Sequence, residues 1–138
     1  MNDPFSAFAL REDDAENRLR AAAAKRILVL DGAMGTEVQA LSLEEAHFRG
    51  QRFAACACHL QGNNDLLTLT HPDEIRAIHR AYMDAGSDLI ETNTFNAQRI
   101  SLADYGMEKL AYELNVEAAR LARAECDAVT ALDPTRPR

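Results

Sequence analysis

The run Ile27-Leu28-Val29-Leu30-Asp31-Gly32-Ala33-Met34-Gly35-Thr36 restricts the possible folds more than any other stretch of this 138-residue chain. Four consecutive aliphatic residues suit a strand covered on both faces, which is the condition of a parallel sheet flanked by helices. The run stops on Asp31 and turns through Gly32 and Gly35, so a carboxylate falls at the carboxyl end of the strand, where barrel and open α/β sheets bind ligands. Ser87 to Phe95, SDLIETNTF, repeats the pattern with Glu91 where the first run has Asp31. If the two strands are parallel, both carboxylates open onto one mouth.

Between them lies a well-marked helix. Thr70-His71-Pro72-Asp73 offers a capping hydroxyl ahead of an acid, with proline in the first turn, where its missing donor costs nothing. Ile75, Ile78 and Tyr82 then recur on one face, and Gly86 ends the helix just before the second strand. Strand, helix, strand is the βαβ unit of a parallel sheet. Elsewhere, residues 1–11 read as a loose lead and Glu12 to Arg26 as a solvated helix, so that residues 1–25 form a leader and residues 26–138 the domain. Glu37 to Leu43 begins a second helix, Phe48 to Phe53 reads as irregular, and Gly62-Asn63-Asn64-Asp65 reads as a turn. The connection from Gly32 to Thr70 is long for a strand-to-helix link, as functional lids and disordered segments are. A last helix, about Met107 to Cys126, carries Leu110, Leu114, Ala118 and Leu121 as its core stripe, and Ala128 to Arg138 reads as a tail.

Composition enters to exclude partners. A net charge of -7 argues against an electrostatic grip on nucleic acid or an anionic membrane. No apolar run is long enough to span a bilayer, and the N-terminal stretch lacks the basic start and apolar centre of a secretory signal. Three cysteines at uneven spacing do not suggest a disulfide framework. Together these point to a soluble, cytoplasmic protein that meets small molecules or other proteins. Two parallel strands paired only with each other would leave open edges and a bare face, so the expected sheet is the beginning of a larger one.

The strings DGAMGT (31–36), FRGQRF (48–53), GNNDLL (62–67), IRAIHRAYMDAGSDLIETNTFNA (75–97), ISLADYG (100–106) and AYELNVEAARLAR (111–123) resemble the N-terminal homocysteine-binding domain of cobalamin-dependent methionine synthases. The resemblance implies a (β/α)8 TIM barrel, of which this chain supplies about two of the eight βα units and stops before the third strand; a whole barrel typically needs about 250 residues. It implies a homocysteine S-methyltransferase in which zinc binds the substrate sulfur and methylcobalamin donates the methyl group. Neither zinc nor methylcobalamin is expected to bind this fragment. The strings favour this branch over betaine- or methylmethionine-using relatives.

Carried over by residue, the resemblance places the homocysteine site at Asp31, Gly32, Ala33, Met34 and Gly35 and at Glu91, Thr92, Asn93, Thr94 and Phe95. Homocysteine bears an ammonium and a carboxylate; a carboxylate such as Asp31 suits the first and free backbone N–H groups at a glycine-rich turn suit the second. Glu91 and Thr92 are expected as polar contacts and Phe95 as a pocket wall. Cys56, Cys58 and Cys126 are not expected to be the zinc ligands, since the family's three cysteines come from later strands and Cys-x-Cys-His is not a usual closed-site spacing. His47, His59, His71 and His79 read as loop or helix-surface residues. Two further readings stand beside the enzyme: a split or truncated fragment without activity, awaiting the missing C-terminal part of its barrel, and a self-associating amino-acid-binding module.

Overall fold

In the computed structural model, which describes residues 15–138, the alanine-rich segment forms α1 (Ala15–Ala23) with no buried residue. The expected leader over residues 1–11, and the expected helix start at Glu12, lie outside the described residues. The helix stops short of Arg26, because the Lys25 and Arg26 N–H groups both turn back to the Ala22 carbonyl, at 3.0 and 3.2 Å.

The two expected strands contract. Among the described residues no strand forms, and Ile27–Asp31 meets Ser87–Thr92 in a single parallel bridge between Leu30 and Leu89. The direction of pairing is the expected one, but the element content is helical. The physical reason is the lack of neighbours: each segment has one partner, and Ile27 is 88 % and Leu30 51 % exposed. A pair without a third strand or a covering layer is marginal.

Beyond the first segment, α2 (Met34–Ala40) starts from Ala33, whose backbone is left-handed at φ 37° and ψ 36°. The strained residue of the turn is therefore an alanine and not Gly32 or Gly35 as its glycines suggest. The stretch expected to be irregular begins inside α3 (Glu45–Arg49), which is closed by a capping box between Glu44 and His47 and ended by Gly50 at φ 51°. The long connection that follows is tied down from α3. Arg49 donates to the carbonyls of Cys56 and Cys58, the latter at 2.7 Å, while Glu45 accepts from the Leu60 N–H at 3.0 Å and the Gln61 N–H at 2.7 Å.

A 3-10 turn (Asn64–Leu66) runs into α4 (Leu67–Thr70), and α5 (Pro72–Ala85) follows with proline in its first turn. Thr70 does not cap α5 as expected. Its hydroxyl donates back to the Leu66 carbonyl at 3.4 Å, and His71 is the capping residue, without a side-chain bond. Gly86, at φ 113°, ends α5 as expected, with the Ser87 N–H returning to the Tyr82 carbonyl. After α6 (Arg99–Leu102) and two 3-10 turns, α7 (Ala111–Leu132) runs past its expected end at Cys126 into the expected tail.

The core lies where α4, α5 and α7 pack. Leu60, Leu66, Leu67, Ile75, Leu102 and Leu114 are fully buried, each worth about 1.5–3 kcal/mol of transfer free energy. His79, expected on a helix surface, is also fully buried, because it shares the face of Ile75 and Ile78. Neither of its ring nitrogens has a hydrogen-bond partner in the protein. Among the described residues no helix is long and apolar enough to cross a membrane.

Candidate functional site

The bridge between the two segments positions the site. The Leu89 N–H donates to the Val29 carbonyl at 3.2 Å and the Asp31 N–H to the Leu89 carbonyl at 3.0 Å. One step further, both oxygens of the Asp31 carboxylate accept from the Glu91 N–H at 3.1 Å. The ends of the segments are thus joined through a side chain instead of a further ladder bond. Burial pushes the Asp31 carboxyl above the usual range; the Glu91 N–H works against this and the Glu91 charge adds to it.

Around this junction lies a cavity of about 640 Å³. It is lined by all five expected residues of the first segment (31–35) and all five of the second (91–95). Gly32 and Gly35 face open space, so a side chain added at either would meet nothing within 4 Å. Thr92 and Thr94, both half-buried, share a hydroxyl hydrogen bond of 2.7 Å.

Two expected roles change. Asn93 is buried, and its amide nitrogen donates to the Asn64 carbonyl at 2.8 Å and to the Thr68 hydroxyl at 3.4 Å, so its amide braces the loop behind the cavity. Phe95, expected as a wall, is 93 % exposed and stands at the rim. Its place in the turn is set by a residue that sequence reasoning missed. Asp65 lines the cavity, is buried, and accepts from the Asn96 N–H at 2.7 Å. Burial pushes its carboxyl up, while the N–H groups of Asn96 and Phe95 pull it down. Gly62, Asn64 and Asn96 complete the lining. The signal for Asp65 and Asn64 was present in the GNNDLL string, which reads as a turn and nothing more without the tertiary fold.

The lining carries three carboxylates, Asp31, Asp65 and Glu91, and neither lysine nor arginine. Such a cavity suits a cationic group on a small ligand. Cys56 and Cys58 are half-buried against the core, Cys126 is buried in α7, and His59 stands 3.5 Å from Glu45. Among the described residues no three His, Cys, Asp or Glu come together in a group able to hold a metal ion.

The cavity thus lies at the ends of two segments paired in parallel, and its lining is rich in carboxylates. The family model for homocysteine S-methyltransferase matches residues 28–137, which include every residue of that lining. The chain belongs to the homocysteine S-methyltransferase family, whose substrate is homocysteine.

Proposed function

We propose that the cavity binds the amino-acid end of homocysteine in a methyltransferase of the methionine synthase type. One observation carries the reading: two segments some sixty positions apart, each ending on an acid, line one cavity with their ends joined through Asp31 and the Glu91 N–H. Asp31 and Glu91 take the ammonium, and the open backbone of the Gly32–Gly35 turn takes the carboxylate. The sulfur then points out of the cavity toward the methyl donor. In the transfer the thiol gives up its proton, a sulfur lone pair forms the new bond to the methyl carbon, and the methyl-to-donor bond breaks with its electron pair left on the donor.

The likeness of the strings supports methylcobalamin as that donor. In this reading the share of the described residues in the reaction is binding and orienting substrate. The exposed Ile27, Val29, Leu30 and Leu89 support a chain that forms the N-terminal portion of a (β/α)8 barrel, with further strands covering those residues. The same exposure supports a second reading, in which copies of the chain cover one another; sedimentation velocity separates the two by size. An acidic chain with free cysteines suits work in the cytoplasm.

Calorimetric titration with homocysteine, in a barrel completed by the remaining family strands, tests the site. Asp31→Asn, which keeps the shape and the acceptor for Glu91 while removing the charge, is expected to weaken binding about thirtyfold, the loss expected on truncating a charge pair. Glu91→Gln should weaken it less, since Glu91 starts exposed. If both variants bind within about threefold of the parent, the exposed-pair scale, the reading fails. The chain without the added strands is the control and should form no methionine.

A further inference from the structure

Asp88 lies outside the cavity, upstream of Glu91, and is 4 % exposed. Its N–H donates to the Val29 carbonyl at 2.7 Å, and its Oδ2 accepts from the Val29 N–H at 3.1 Å. One residue thereby grips both backbone polar groups of its neighbour. Three guanidinium groups converge on the same carboxylate. Arg26 donates to both oxygens, with 2.7 Å from Nη2 to Oδ1. Arg136 Nε and Arg138 Nη1 reach Oδ1 at 3.0 and 3.1 Å, and Arg136 also donates to the Gly86 carbonyl at 2.7 Å.

Register between strands is ordinarily set by burial of one face, because a one-residue slip turns every side chain over. That constraint is weak here, with Ile27, Val29, Leu30 and Leu89 all substantially exposed and only one bridge formed. Yet the site depends on register. A slip of one residue moves the segment by about 3.3 Å and takes the Asp31 carboxylate off the Glu91 N–H.

We infer that Asp88 is a positioning residue for the amino-acid pocket: its carboxylate, neutralised by Arg26, Arg136 and Arg138, locks the register that sets Asp31 against Glu91. What the pocket takes rests on the function proposed above; the register does not. The Asp88 charge acts on the site only through the backbone of residues 29–31 and 89–91.

Amide hydrogen exchange on the 138-residue chain tests the lock directly. Asp88→Asn is expected to speed exchange at Asp31, Leu89 and Glu91 by about tenfold or more, the scale of one charge-assisted hydrogen bond, while Leu114, Ala118 and Leu121 in α7 keep their protection. Should Asp88→Asn fail to fold, Arg26→Gln decides, since it leaves two arginines in place; it should move the same amides by a smaller factor. Unchanged exchange at Asp31 and Glu91 overturns the inference. So does a uniform rise that includes α7, which would make Asp88 a contributor to global stability and nothing more. Homocysteine titration of the completed barrel separates the two proposals. A parent that does not bind removes the function and leaves the exchange result standing. A parent that binds, with Asp88→Asn weaker by about tenfold and the double variant with Asp31→Asn losing clearly less than the product of the two single losses, ties the register to the pocket.

Discussion

The helical side of the molecule and the paired segments differ in how far each satisfies itself. Where α4, α5 and α7 meet, Leu66, Leu67, Ile75 and Leu114 are fully enclosed, and the loop after α3 is fastened by Arg49 and Glu45. Across the molecule, Ile27–Asp31 and Ser87–Thr92 share one backbone bridge, flanked by the hydrogen bonds of Asp31 and Asp88, and show aliphatic side chains to solvent. The difference teaches that the helical packing is complete in itself, whereas the pairing of the two segments is not. The candidate site sits on the incomplete side, held by hydrogen bonds and charge more than by packing.

The largest test of that contrast is a pair of truncations. Leu114→Ala should cost about 2–5 kcal/mol, as expected for a fully buried leucine. Leu30→Ala, at a half-exposed position, should stay within about 0.5 kcal/mol. Urea denaturation of both variants measures the gap, and equal costs would erase the distinction between the two sides.

A smaller effect is expected from glycines. Gly50→Ala places a side chain on a backbone at φ 51° and ψ -158°, a region open essentially to glycine alone, 3.2 Å from the Thr70 Cβ, and should cost about 1–3 kcal/mol from the backbone alone. Gly32→Ala meets open space at an ordinary φ, so its effect on stability should be close to zero, although it narrows the cavity. Matched melting temperatures for the two variants would show that the tight spot has been misplaced.

The smallest test sharpens the helical side through pH. Burial holds the His79 imidazole below its ordinary pKa of 6.5, partly offset by the Glu125 charge. The unfolded chain therefore binds a proton that the folded chain refuses. Stability is full above about pH 6.5, falls as pH drops below it, and stops falling beneath the folded pKa. His79→Leu removes this limb, so its advantage over the parent in thermal unfolding should be larger at pH 5 than at pH 8. A difference that does not change with pH would show that His79 titrates as a solvated residue does.

Local signals were readable in the sequence. Pro72 and Gly86 bracket α5 because their effects reside in their own backbone, and the two apolar runs ending on Asp31 and Glu91 do pair in parallel. All ten residues carried over by resemblance line one cavity. What failed depended on distant partners. An aliphatic run becomes a strand only when neighbours complete its ladder, which periodicity cannot supply. His79 reads as polar although its helical position puts it beside Ile75. Asp65 became part of the site only once the turn at 93–97 folded over it. The tail expected after Ala128 is anchored for the same reason, since Arg136 and Arg138 find Asp88 from 48 and 50 positions away.

That anchoring changes how the chain is knotted together in the entropic sense. Arg26 reaches Asp88 across 62 positions from one side and Arg136 across 48 from the other, so a single carboxylate closes two long loops of similar size. Loop-closure cost grows only with the logarithm of length, about 0.6 kcal/mol per doubling, so neither loop is much harder to close than the other. Ordering the one leaves the Asp88 end already fixed for the second. The two halves of the chain on either side of the cavity are therefore coupled in their ordering, and a cut in the exposed loop near Gln51 would leave both pieces fastened at the same charge.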